Sequence, residues 1–413
     1  MKILHITASM DPKLGGVCQA LKTMVIGLNT NPDVENEIVS FDDPDASFIN
    51  LNSYCLHALG AGKGPWFQNA AYIPWLLQNL SNYDVIILHG LWNYQGFGLI
   101  KALHKLKKDA AAGHASFTTK FFVMPHGMLD PYFQKAAGRK LKAVRNWIYW
   151  KLIERKVVNQ ANGLLFTCEA ELQLARKTFS PYQPKNELVV GLGVEEPPVF
   201  MASMAEAFAQ TCQELGTQPY LLFISRIHEK KGVDLLVDAF FKTNDHSNNE
   251  IGHASFIDPK SVSAKLIVAG PGLETPYGQK IKSAASKLSE TGNQVFFPGM
   301  LTGEAKWGAF YGCEAFVLPS HQENFGIAVV EALACSKPVL ISDQVNIHTE
   351  INTANAGLVA ADTAEGTTQL LEKWHHMDQN QKTEMGKNAR RCYEKYFAVE
   401  PAAKKLLAAL AGN

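Results

Sequence analysis

AFVLPSHQENFGIAVVEALACSKPVLISD, residues 315–343, reads as strand, loop, helix and strand in that order. AFVLP and PVLIS are short apolar runs of buried-strand length. Between them, Gly326 to Cys335 is helix-prone and almost wholly apolar, with Asn324 placed to cap its first turn and Ser336, Lys337 and Pro338 closing it. Glu331 breaks the pattern. An unpaired carboxylate among Val329, Val330, Ala332 and Leu333 would cost several kcal/mol, so it must meet donors in the protein or on a ligand. Glu323, eight positions earlier, falls in the loop after a strand's carboxyl end, where open α/β sheets place their ligands. The helix that follows aims its N-terminal N–H groups and positive dipole end at the same place, which suits a phosphate.

Two glutamates separated by seven residues, with Asn324, Phe325 and Gly326 after the first, resemble the E-x7-E signature of retaining GT-B glycosyltransferases, glycosyltransferase family 4 in particular. The spacing alone says little, because Glu is common. The ordered string of strand, helix and Pro-led strand carries the resemblance. It implies that Glu323 contacts the donor sugar's hydroxyls and that Glu331 holds the ribose hydroxyls of a nucleotide. The structural alternative is a buried helix carrying a satisfied glutamate.

At 413 residues the chain exceeds what one core serves, so two domains are expected. Net charge is zero, which argues against a nucleic-acid partner. Seven cysteines with no CxxC, an odd count, and no secretory leader fit a reduced cytosol. The expected location is therefore cytoplasmic, with the inner face of the plasma membrane as an option. The opening MKILHITASMDPK has too short an apolar run for a signal peptide and reads as a first strand. No run approaches the roughly eighteen apolar residues of a membrane span.

KILHIT (2–7) is a buried-strand candidate, followed by a loop ending in Gly15 and Gly16 before the helical QALKTMVIGL. Strand, Gly-rich turn and helix is how backbone amides approach a phosphate, although a plain tight turn reads the same way. The resemblance places paired glycines here beside the donor diphosphate. Asp43-Pro44-Asp45 superficially matches the metal-binding D-x-D of the other glycosyltransferase fold, but a solvated turn accounts for it. DVIILHG (84–90) and KFFVMPHG (120–127) are further strands, each ending in His-Gly. His126, in PHGMLDPYF, matches the family's histidine near donor sugar and acceptor, which implies support for positive charge at the anomeric carbon. A satisfied strand-end histidine is the alternative, and the same holds for His89, which lacks the extra motif residues.

Residues 135–158 form a helical stretch in which Lys and Arg alternate with Trp147, Ile148, Tyr149 and Trp150, and residues 101–156 hold thirteen Lys and Arg against three Asp and Glu. Such a helix suits an anionic membrane surface or acceptor, with Trp147 and Trp150 as interface anchors. A solvated face with its aromatics packed inward is the competing reading. Gly191, Gly193, Pro197 and Pro198 mark a linker. Beyond it, YLLFISRIHEKKGVDLLVDAF (220–240) gives a strand, a basic loop and a helix, and Arg226 and Lys231 match the family's R-x4-K-G grip on the donor diphosphate. A solvated charge cluster is the alternative. AKLIVAGPG (264–272) and QVFFPGML (294–301) are strands, and the resemblance puts the nucleobase near Gly299 and Met300. Two polar stretches, 108–118 and 242–263, share the pentapeptide GHASF and read as surface insertions.

Alternating short strands and helices predict an α/β GT-B architecture, two Rossmann-like domains with a cleft between them. The expected domains are 1–196, joined by 398–413 through a returning C-terminal helix, and 197–397. The resemblance implies hexose transfer with retention from a nucleoside diphosphate sugar, a UDP-sugar favoured over GDP-mannose, to a glycan or lipid-linked acceptor in polysaccharide assembly. It implies no cofactor and no metal, with Arg226, Lys231 and the helix amides stabilising the leaving diphosphate. The basic first domain, with HGLW and PHGMLDP, which recur in family members of that kind, makes the resemblance imply an exopolysaccharide or cell-surface glycan. A sugar-nucleotide epimerase, a phosphorylase and a non-catalytic sugar-nucleotide binder are the alternatives.

Overall fold

The computed structural model describes residues 1–49, 54–113, 116–136, 139–244, 264–288 and 294–412. The GHASF repeats fall partly (113–117) or wholly (252–256) outside these residues. The chain divides into two compact units, 1–195 with 398–413, and 196–397.

The first unit holds a seven-stranded parallel sheet: β1 (Lys2–Ile6), β2 (Glu35–Ser40), β3 (Cys55–Ala58), β4 (Val85–His89), β5 (Lys120–Met124), β6 (Gly163–Phe166) and β7 (Glu187–Val189), in the order β3-β2-β1-β4-β5-β6-β7. Parallel sheets are covered on both faces, so their central strands are continuous apolar runs. Ile3, Leu4 and Ile6 of β1, and Val85 to Leu88 of β4, are accordingly buried. His5 is the exception, a fully buried imidazole in the middle of β1. The last helix, Val399–Ala411, packs on the first, Gly16–Leu28, where a side chain at Gly27 would strike Val399. The final segment thus belongs to the first unit.

The second unit holds a six-stranded parallel sheet: β8 (Tyr220–Ile224), β9 (Lys265–Ala269), β10 (Val295–Gly299), β11 (Ala315–Leu318), β12 (Val339–Ser342) and β13 (Gly357–Ala360), in the order β10-β9-β8-β11-β12-β13. All four residues of β11 are buried, and sequestering a side chain such as Phe316 or Leu318 contributes about 1.5–3 kcal/mol.

Each sheet reverses its winding once, between β1 and β4 in the first and between β8 and β11 in the second. At such a point the loops leaving the two strands part and open a crevice at the strands' carboxyl ends. β3 and β13 are strands that the sequence reading did not anticipate. Both are sheet edges of four residues that are largely half-buried, so neither shows a long apolar run. Among the described residues no helix is long and apolar enough to cross a membrane.

Candidate active site

The helix Ile327–Ala334 starts one residue after Gly326, which takes the N-cap position in a left-handed conformation (φ 78°) with no side-chain cap. Asn324 is therefore not the cap that the sequence suggested. Its Oδ1 accepts from Asn346 Nδ2 at 3.4 Å, tying the loop to the one after β12. The same two loops are joined through Glu323, whose backbone N–H donates to Gln344 and whose carbonyl accepts from Asn346. Phe325 is buried with its ring edge-on to Phe397.

Across the β8/β11 switch point, the basic loop is fastened to this one. Lys230's carbonyl accepts from the Ser320 hydroxyl and from the His321 N–H. Gly232 closes the basic turn with φ 65°, where a Cβ would lie 2.1 Å from the Pro319 carbonyl oxygen, so only glycine lets the two loops approach this closely. Lys231 is carried inward as a result. Only 6 % exposed, it is ion-paired and hydrogen-bonded to Glu323. Burial pushes the Glu323 carboxyl up, but Lys231, followed by Lys230 and Arg226, holds it below its ordinary value. Arg226 is exposed at the mouth of the same loop. The structure thus brings Arg226, Lys231 and Glu323 into one cluster at a strand-end crevice.

Glu331 finds its donor on the neighbouring helix Gly303–Gly312, where Lys306 Nζ lies 2.6 Å from its carboxylate. Burial outweighs this partner and leaves the Glu331 carboxyl raised. Lys306 was invisible in the sequence, since a single lysine in a ten-residue helix carries no pattern. Gly299 ends β10 with φ 78° and open space where a side chain would stand, and Met300 beside it is 69 % exposed.

In the first unit, Gly15 (φ 77°) and Gly16 begin the helix Gly16–Leu28, with no atom within 4 Å of where either Cβ would be and no side chain capping the helix. That leaves backbone open to a ligand at the carboxyl end of β1. At the neighbouring strand ends the two histidines expected from the sequence, His89 and His126, join His5 in a chain of three. Asn36 Oδ1 lies 3.2 Å from His5 Nε2, His5 Nδ1 3.0 Å from His89 Nε2, and His89 Nδ1 2.9 Å from His126 Nε2. The Asn36 amide nitrogen donates to Asn29, which leaves its oxygen to face His5. With the amide so oriented, each Nε2 carries a proton and each Nδ1 accepts one, so His126 presents a bare Nδ1. Burial lowers the pKa of His5 and of His126 to about 4, and burial followed by the neighbouring His126 and His5 lowers that of His89 well below its ordinary value. All three are neutral near pH 7.

His126 itself has φ 52°, a strained conformation for a non-glycine residue. Glu171, buried on the helix Glu169–Ala175, holds the turn by accepting from Gly127 N–H at 2.6 Å and from both the N–H and hydroxyl of Thr167. The HGLW and PHGMLDP segments interlock: Leu91 N–H donates to the Met128 sulfur at 3.1 Å and the Trp92 indole to the Met128 carbonyl at 3.3 Å. Two motifs distant in sequence are one structural feature.

Asp43 and Asp45 form an exposed turn, in which Asp45 N–H donates to Asp43, as the solvated reading held. Residues 135–158, expected as one helical stretch, are helical without a break from 140 onward but are separated from the short helix that ends at Lys135. They comprise the end of Tyr132–Lys135, the helix Lys140–Tyr149, a π-turn Trp150–Glu154 and the start of Arg155–Gln160. Trp150 lies fully in the core, stacked on Phe179, so it cannot anchor at an interface. Trp147 is 51 % exposed. A further cluster, Glu37, Cys55 and His57 on β2 and β3, has metal-ligand chemistry, but Lys2 already sits 2.6 Å from Glu37 and competes with any cation there.

Residues 206–392 match the family model for glycosyl transferases group 1, within the second unit. The chain is 27 % identical over 202 residues to a GDP-mannose-dependent alpha-(1-6)-phosphatidylinositol dimannoside mannosyltransferase of Mycobacterium tuberculosis, a match covering 48 % of this chain and 46 % of that protein. It is 28 % identical over 360 residues to an uncharacterized glycosyltransferase of Methanocaldococcus jannaschii, covering 83 % and 80 % of the two chains. Among solved structures, Anabaena HepE in complex with UDP and glucose superimposes with a TM-score of 0.66 at 17 % identity, over 100 % of both chains. The fold is that of the GT-B glycosyltransferases.

Proposed function

We propose that this chain is a retaining glycosyltransferase that moves a hexose from a nucleoside diphosphate sugar to a glycan or lipid-linked sugar acceptor in polysaccharide assembly. The observation that carries the reading is the cluster at the β8/β11 switch point, where Lys231 and Arg226 face Glu323 beside an uncapped helix start. Two cations and a row of N–H groups suit a diphosphate, and Glu323 suits the hydroxyls of the attached sugar. Glu331, paired with Lys306, would take the ribose hydroxyls as acceptor while Lys306 remains its counter-ion. His126, with its bare Nδ1, would accept a hydrogen bond from a sugar hydroxyl.

In this scheme the bond from the anomeric carbon to the diphosphate oxygen breaks as the acceptor oxygen attacks from the same face. The departing diphosphate receives the acceptor's proton. Lys231, Arg226 and the helix amides neutralise the charge that develops on it, a role otherwise given to a divalent cation. A UDP-hexose is the donor to test first, as UDP and glucose occupy HepE, with GDP-mannose second, as the mycobacterial mannosyltransferase is named for it.

A thermal-shift screen of nucleotide sugars, followed by turnover of the best binder with and without EDTA, tests the reading. The expected result is stabilisation by one nucleoside diphosphate hexose and turnover that survives chelation. No nucleotide sugar raising the melting temperature would overturn it, and binding without transfer or donor hydrolysis would leave a sugar-nucleotide binder instead. An isomerised donor would make it an epimerase.

A further inference from the structure

On the helix Lys140–Tyr149 and the π-turn that continues it, Leu141, Val144, Ile148 and Leu152 form one stripe, and all four point outward, 88, 58, 47 and 65 % exposed. An amphipathic helix on a globular unit ordinarily turns such a stripe into the core. Here the core is served by Trp150 on the opposite side. The stripe forms one wall of a cavity of about 650 Å³, whose other wall is Trp66, Tyr94 and Phe97. Trp66 stacks on Tyr149 at 4.4 Å and makes the floor rigid. Among the described residues, Gln68 and Arg145 are the only lining residues that are neither aliphatic nor aromatic.

The rim has one sign of charge. Residues 140–153 hold Lys140, Lys142, Arg145 and Lys151 and no acidic residue. At 100° per residue Lys140 and Trp147 border the stripe on one side and Lys142 on the other. Lys151 lies 3.9 Å over the exposed Trp147 ring, Arg145 stands over Trp66, and Lys101 over Phe97. An apolar slot ringed by cations, with an aromatic at its edge, matches a lipid whose tail is hydrocarbon and whose head is anionic. A second copy of the chain fits poorly, because two such rims would bring like charges together.

We propose that this groove takes a single hydrocarbon chain of an anionic membrane lipid, docking the first unit on the bilayer surface. The site lies wholly within the first unit and does not depend on the transfer reaction proposed above.

The test uses the full chain, with co-sedimentation on phosphatidylglycerol-containing and pure phosphatidylcholine vesicles, and tryptophan fluorescence against a series of n-alkyl phosphates. Binding should need the anionic lipid and fall as salt rises. Affinity for alkyl phosphates should drop about fourfold for each methylene removed, until the chain no longer fills the slot. Leu152→Glu, a change at an exposed position that leaves the core untouched, should abolish both signals. Changing Lys140, Lys142 and Lys151 to Glu should abolish vesicle binding while the chain-length dependence persists. Equal binding to neutral vesicles, affinity for alkyl phosphates that ignores chain length, or a concentration-dependent dimer abolished by Leu152→Glu would each overturn the proposal. Donor-induced thermal shift reads the second unit separately, so its failure counts against the transfer reading and not against this one.

Discussion

The two sheets wind alike and open at equivalent switch points, yet they fill them with opposite chemistry. After β8 and β11 stand Lys231, Arg226 and Glu323, charged groups held in register by Gly232 and the Ser320 hydroxyl. Across β1, β4 and the end of β5 runs a file of neutral imidazoles, His5, His89 and His126, anchored on Asn36. One crevice is built to meet charge. The other is built to point a single nitrogen lone pair. The difference teaches that a shared topology fixes where a ligand can sit in each unit, while the side chains at the strand ends decide what chemistry that crevice offers.

The largest effect should come from the charged crevice. Lys231→Ala should lower kcat by about 10²–10³-fold, the usual result of removing one donor that stabilises a developing anion, with a smaller change in donor affinity. Single-turnover kinetics with the cognate nucleotide sugar check this. A loss confined to binding would assign Lys231 to ground-state recognition alone. Circular dichroism is needed alongside, because the variant leaves Glu323 without its partner.

A smaller effect is expected where the nucleoside is held. Glu331→Ala should weaken the donor by about 2–3 kcal/mol, the cost of losing hydrogen bonds to a charged acceptor, or roughly 30–150-fold in Kd. Isothermal titration on the folded variant measures it, and unchanged affinity would remove the ribose role. Lys306→Met should weaken the donor less, since it removes a counter-ion and not a ligand contact.

The imidazole file should show itself in pH dependence. His5 and His126 have folded pKa values near 4 against an ordinary 6.5. Above about pH 6.5 they are neutral whether folded or unfolded, and the full stability is present. Between 6.5 and 4 only the unfolded chain takes up the protons, so stability falls with falling pH, by at most about 1.4 kcal/mol per pH unit for each histidine. Melting curves at pH 7.5, 6 and 5 follow this, and His5→Gln should flatten the slope. Asn36→Leu should leave the donor-induced shift intact and lower turnover several-fold, by freeing the tautomer of His126. An unchanged slope in His5→Gln would mean the file does not titrate as a unit.

Much of this was legible because parallel strands must be apolar on both faces. The runs KILHI, VIILH, YLLFI and AFVL announce themselves, as do the polar strand-end loops between them. The edge strands Cys55–Ala58 and Gly357–Ala360 did not, being short and half-exposed. Glu331 stood out as a carboxylate in an apolar helix, but nothing in the sequence pointed to Lys306, which is brought near by the packing of a different helix. His89 and His126 were visible as strand-end residues. His5 was hidden within a strand, and its role exists only because β1 and β4 are neighbours.

Local periodicity and turn chemistry determined the strand–helix alternation, the α/β class and the oddity of Glu331, since these depend on nearest neighbours along the chain, and the family resemblance marked Glu323, Arg226 and Lys231. Tertiary structure alone decided which cation meets which carboxylate, which of Trp147 and Trp150 faces water, and that Leu141, Val144, Ile148 and Leu152 stay outside the core. The order of strands in a sheet and the packing of one helix on another set those outcomes, and both are properties of packing that no window of sequence contains.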